Sequence, residues 1–223
     1  MHINPGVVDG AKLLLSYGTA AAAFGYTAKL AWESVREKGY VSFGVRTLIA
    51  SIFVFVFFEV LPHYPIGVSE VHLILGSTLF LILGPAPTAI GLAFGLLVQG
   101  VFFAPFDLPQ YGMNVTTLLV PLFVISGVAK KVIAPTTAYV DLKYGQALAL
   151  STAYQGGVVI WVAFWSIYGE GMAALAGIAT FGSAYMLVVA IEPLVDLLVL
   201  AGAKSLRGLR NSGLVTDRLY QPA

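Results

Sequence analysis

The sequence predicts an all-α, polytopic membrane bundle, and three observations carry that prediction. Of its 223 residues, 58% are hydrophobic and only 10% are charged, with a mean hydropathy of +0.87. A soluble domain carries roughly 25% charged residues, so this chain has too few to wet a globular surface. The apolar residues fall into long blocks, and twelve Lys and Arg nearly balance eleven Asp and Glu. A disordered chain and a nucleic-acid binder with a basic face are excluded on the same grounds. With no cysteine there is no disulfide scaffold, zinc finger or thiol nucleophile.

The blocks run near 11–31, 45–61, 71–84, 88–105, 113–129, 145–168 and 172–201. At about 20 apolar residues per crossing the length allows six or seven spans. No long polar linker interrupts them. The chain therefore reads as one domain over 1–223, with an extracytoplasmic segment at 1–10 and a basic cytoplasmic tail at 204–223. The pair 71–84 and 88–105 cannot be one helix, which would be about 50 Å long in a core of about 30 Å. Gly84-Pro85-Ala86-Pro87-Thr88 breaks it. Block 71–84 alone makes only about 21 Å of helix, so the hairpin reads as two spans or as a re-entrant pair.

Orientation follows from the basic residues. Lys29, Arg36, Lys38 and Arg46 flank the first internal connection. Lys130, Lys131 and Lys143 follow the fifth block, and Lys204, Arg207, Arg210 and Arg218 lie in the tail. The opposite face holds Lys12 beside Asp9, Glu59, Glu70, Asp107 and Glu170. Eleven against one predicts a cytoplasmic C-terminus and an outward N-terminus, in the plasma (inner) membrane. The first eleven residues carry no Lys or Arg, unlike the n-region of a signal peptide.

The only histidines are His2, His63 and His72, all on the outer face in this topology. An incidental interfacial role is the ordinary expectation for such residues, but His2 is a special case. A free α-amino group, the next amide nitrogen and the Nδ1 of a residue-two imidazole close five- and six-membered chelate rings. One further imidazole completes a square of nitrogens, which suits Ni(II), Cu(II) or Co(II). His72 is the first choice for that ligand, because it opens a block directly after the Gly67-Val68-Ser69-Glu70 turn. His63, between Pro62 and Tyr64-Pro65, is the reserve and reads as part of an ordinary loop. Binding weakens at acid pH, because amine and imidazole must lose protons.

Met1-His2-Ile3 followed closely by Gly6, and Pro65-Ile66-Gly67-Val68-Ser69-Glu70-Val71-His72-Leu73-Ile74-Leu75-Gly76, resemble the CbiM/NikM family. The Gly84-Pro85 break and Gly112-Met113-Asn114 are also similar. The resemblance runs through most of the chain in block order. It implies a substrate-binding membrane component of an energy-coupling factor cobalt or nickel importer. It implies Co²⁺ or Ni²⁺ as cargo, held by Met1, His2 and His72. It implies a transmembrane coupling protein and two cytoplasmic ATPase subunits as partners, with a small accessory membrane subunit in some systems. The sequence departs from the family at Asn4-Pro5, where an acidic residue usually precedes the glycine, and at Val71, which separates Glu70 from His72.

Asn114 has two readings: orienting a ligand near the metal, as the resemblance implies, or capping a helix, since Asn is a preferred N-cap. Glu192 and Asp196, four apart in the last block, read as having reached the inner headgroup zone, with a partner contact as the alternative. Gly18 with Ala22 and Ala21 with Gly25 read as a packing face, within the chain or, by resemblance, toward the coupling protein; Gly156-Gly157 and Gly177 read as packing sites. No phosphate-binding loop is present, so the chain itself is not expected to hydrolyse ATP, and His-Glu-x-x-His and Gly-x-Ser-x-Gly are also missing. The rival readings are a non-transporting membrane scaffold and a vitamin-binding component of the same transporter class.

Overall fold

The computed structural model describes residue 3 and residues 6–222, without the side chain of Arg207. Met1, His2, Asn4 and Pro5 lie outside the described residues. Six α-helices dominate: α1 (Leu13–Phe55), α2 (Gly76–Leu83), α3 (Pro85–Phe102), α4 (Tyr111–Val132), α5 (Tyr144–Glu170) and α6 (Leu175–Ser205). A small antiparallel hairpin, β1 (Tyr64–Ile66) and β2 (Ser69–Val71), precedes α2. Four helical stretches, Gly10–Val60, Pro85–Phe102, Pro105–Val132 and Tyr144–Ser205, are long and apolar enough to cross a membrane.

Two of those stretches double back on themselves. In α1 the reversal sits at Gly39 (φ 78, ψ 167), a region of backbone space open essentially to glycine alone. Arg46 Nη2 reaches Ser34 Oγ at 3.0 Å. In a straight helix those residues would be separated by about 18 Å of rise, so the two arms lie side by side. Residues 32–44, expected as a connection between apolar blocks, are thus helix on both sides of one glycine. The second reversal lies at Gly171, between α5 and α6, and sets Glu192 against Ser151.

Gly84 (φ 87, ψ 169) makes the same kind of break between α2 and α3, with Pro85 opening α3, where a missing N–H costs nothing. The C-terminal end of α2 is tied to two distant segments. Thr216 donates its amide to the Ile82 carbonyl, and Arg46 Nη1 donates to the Leu83 carbonyl. The C-terminal end of α2 therefore lies at the end of the bundle that gathers the basic residues. Residues 72–75 lie outside any helix or strand and join β2 to this short helix, with Leu75 in left-handed backbone (φ 52, ψ 38).

The arms of α1 and α3 meet through small residues. A methyl group on Gly91 would lie 2.4 Å from the Ala50 Cβ, and one on Gly95 would lie 2.5 Å from Val54 Cγ1. This is the close approach that a small-xxx-small pair permits in lipid. Gly157 against Pro121 and Gly177 against Val68 are also close contacts, whereas Gly156 faces open space. Gly18, Ala21, Ala22 and Gly25 are exposed, so the packing face expected there points away from the bundle. Large apolar side chains such as Leu14, Trp32, Leu48, Phe94, Ile160 and Leu198 are also exposed. That outer coat suits hydrocarbon rather than water.

Candidate metal centre

The β hairpin lies at the end of the bundle opposite the basic residues. Its loop is the two-residue Gly67-Val68, since Ile66 pairs with Ser69. Gly67 takes φ +65, as the first position of a tight hairpin turn requires. Side chains alternate along a strand, so Glu70 and His72 share one face. The register Tyr64↔Val71 places His63 across from His72. Val71, the residue that departs from the family spacing, is therefore what sets Glu70 and His72 on the same side.

The result is a compact cluster. One ligand atom from each of His63, Glu70 and His72 lies within 4.8 Å of the others. His72 Nε2 is 3.0 Å from Glu70 Oε2, and His63 Nδ1 is 3.9 Å from the same oxygen. The two imidazoles stack, with centroids 4.9 Å apart and planes 7° from parallel. Phe58, in the helical turn Val56–Val60 that follows α1, packs on His72 from 5.3 Å. Tyr185 of α6 directs its hydroxyl to the His72 carbonyl at 3.5 Å. The His72 side chain is fully buried, whereas those of His63 and Glu70 keep 35% and 25% of their exposure. Two imidazoles and a carboxylate form a donor set for a divalent transition metal.

Ile3 is held beside this cluster. Ile3, fully buried, forms an antiparallel bridge with Ser69. Its amide donates to Asn114 Oδ1 at 2.9 Å. Asn114 is the fourth residue of α4, and the N-cap position belongs to Gln110. The capping role is therefore not the one it plays; its carboxamide reaches across to the N-terminal segment. That segment also presses on the end of α5, where a methyl group on Gly169 would meet the Val7 carbonyl at 1.8 Å.

Of the residues singled out from sequence, His63, His72 and Asn114 fall at this one place, while Met1 and His2 lie outside the described residues. Glu70 was missed as a candidate ligand. The signal was available: a Gly-x turn between Tyr64-Pro65-Ile66 and Ser69-Glu70-Val71 fixes the register and hence the shared face. Glu192 and Asp196 do not face headgroups; their side chains point into the bundle. Both are fully buried, and α6 runs on to Ser205, about 13 Å beyond Asp196.

The fold is that of a membrane transporter. Two solved structures resemble it, both at 18% identity. One, described as a truncated transition metal transporter, has a TM-score of 0.71 and covers 90% of this chain and 96% of its own. The other, described as a transition metal transporter, has a TM-score of 0.74 with coverages of 92% and 93%. Residues 2–208 match the CbiM family, described as the cobalt uptake substrate-specific transmembrane region, and the chain belongs to that family. It is a membrane component of metal uptake. No curated protein matches the chain.

Proposed function

We propose that this chain is the substrate-capture subunit of an energy-coupling factor importer for Co²⁺ or Ni²⁺. The observation that carries the reading is the pairing of Ile3 with Ser69 beside the His63–Glu70–His72 cluster. Two residues of chain reach about 7 Å. The assignment of Met1 and His2 as ligands rests on that short reach from Ile3, whose partner Ser69 lies three residues from His72. The α-amino group, the His2 amide and imidazole, and His72 then supply four nitrogens. Glu70 and His63 orient the His72 ring and tune its basicity.

The gathering of basic residues at the far end supports an orientation with the metal centre outside and the tail in the cytoplasm of the inner membrane. Transport is then driven by two separate ATPase subunits through a transmembrane coupling protein, with a small accessory subunit in some assemblies. The exposed small residues Gly18, Ala21, Ala22 and Gly25 offer a close-packing face for that coupling protein.

The test is metal stoichiometry on purified protein with an unmodified N-terminus. One Ni²⁺ or Co²⁺ per chain is expected, and it is lost in His2→Ala, in His72→Ala and on acetylation of the α-amino group. Metal retained in all three would overturn the assignment.

A further inference from the structure

A second group of donor atoms lies deeper in the bundle, where the first turn of α2 meets α5 and α6. Ser77 Oγ donates to Asp196 Oδ2 at 2.8 Å, and Thr78 Oγ1 donates to Asp196 Oδ1. Ser151 Oγ and Gln155 Nε2 both donate to Glu192 Oε2, at 2.9 and 2.7 Å. Glu192 and Asp196 stand four residues apart on α6, and Ser151 and Gln155 four apart on α5, so each pair shares a helix face. All six side chains are buried.

Three oxygens of this neighbourhood are sealed from solvent and have no hydrogen bond: Glu192 Oε1, Gln155 Oε1 and Tyr154 Oη. Tyr154 lies directly against α2, since a methyl group on Gly76 would fall 2.7 Å from its Oη. No Lys, Arg or His forms an ion pair with either carboxylate among the described residues. Two carboxylates without a base inside an apolar bundle are costly and call for a compensating cation. Unpaired buried oxygens are costly for the same reason, and a metal ion would take them as ligands.

We propose that Glu192 and Asp196, with Ser77, Thr78, Ser151 and Gln155 around them, form a second divalent-cation site that receives the transported ion after it leaves the histidines. The inference rests on the capture reading above. Tyr185 connects the two places: its hydroxyl touches the His72 carbonyl, and it precedes Glu192 by about 10 Å along α6. The donors here are oxygens alone. Such a shell suits hard ions and holds late transition metals less tightly than a shell of nitrogens. A site that passes cargo inward needs that weaker grip. Protons compensate the carboxylates when no ion is present.

Mn²⁺ is the probe, because it prefers oxygen ligands and its bound and free forms separate by electron paramagnetic resonance. The full-length protein in detergent is titrated with Mn²⁺, with Ni²⁺ stoichiometry measured in parallel. One Mn²⁺ is expected to bind the wild type, and equally the His63→Ala/His72→Ala variant, in which the outer cluster is disabled. Mn²⁺ affinity should fall at least about tenfold in Glu192→Gln and in Asp196→Asn. Ser77→Ala and Ser151→Ala, which only remove a hydroxyl, should weaken it several-fold and cover the case in which a carboxylate variant does not fold. No Mn²⁺ on the outer-site variant, or unchanged binding in all the inner-site variants, overturns the proposal. Loss of Ni²⁺ capture by the wild type with Mn²⁺ retained would overturn the capture reading and leave the inner site standing. Ni²⁺ captured with no Mn²⁺ bound would do the reverse.

Discussion

The backbone amide of Ile3 and the carboxamide oxygen of Asn114 meet at 2.9 Å inside the protein, 111 residues apart in sequence. No other described hydrogen bond ties the N-terminal segment to α4. Its loss leaves a buried N–H unpaired, at a cost of about 1–3 kcal/mol. Asn114→Ala should weaken Ni²⁺ binding by about 10- to 100-fold, the usual effect of removing a group that positions a ligand. Asn114→Asp, which keeps the acceptor, should retain most of the affinity. Isothermal titration of both variants, with helicity measured alongside, separates a loosened segment from a damaged bundle.

Glu70 should matter through His72 rather than as an independent charge. It lies 3.0 Å from His72 Nε2. Glu70→Gln keeps the shape but removes the carboxylate, so Ni²⁺ affinity should drop while thermal stability in detergent stays within about 1 kcal/mol of wild type. A large fall in stability with unchanged metal binding would make Glu70 a structural residue of the hairpin.

Metal capture should depend on pH in one direction. Each ligating nitrogen must give up its proton before it binds. Free imidazole titrates near about 6.5, so Ni²⁺ affinity should rise as pH goes from about 5.5 to about 8 and fall as the imidazoles become protonated. A flat profile across that window would exclude histidine ligation.

Gly39 should be intolerant of any side chain. With φ 78 and ψ 167 it occupies backbone space that other residues enter only at about 1–3 kcal/mol. Gly39→Ala should lower the unfolding temperature even though open space surrounds the glycine. Gly91→Val should also destabilise, for the opposite reason, because its side chain would strike Ala50. Thermal unfolding of the two variants against Gly127→Ala, at a helical glycine in open space, tests both.

Much of the bundle was legible in the sequence because hydrocarbon imposes long apolar blocks, and Gly84-Pro85 announces its own break. The arms of α1 were harder. Residues 32–44 are polar enough to look like a connection, yet they remain helical because the chain reverses within one glycine. The hairpin was hidden by its shortness: three-residue strands leave no periodic signal, so only the Gly67-Val68 turn could have revealed the shared face of Glu70 and His72. Gly91 and Gly95 form a small-xxx-small pair that was readable but overlooked. The burial of Glu192 and Asp196 was not readable, because it depends on hydroxyls from α2 and α5 far away in the chain.

The segment after α6 gives the basic end an unexpected character. Thr216 binds the Ile82 carbonyl, Arg218 binds the carbonyls of Ala134 and Pro135, and Tyr220 binds that of Ala203. Lys38 and Asp217 add an ion pair to the first arm of α1. Four separate strings are thus drawn together by one short stretch, like a purse closed at the neck. Snipping that stretch ahead of Thr216 would release all of them at once, so Arg218 should resist trypsin for as long as the closure holds.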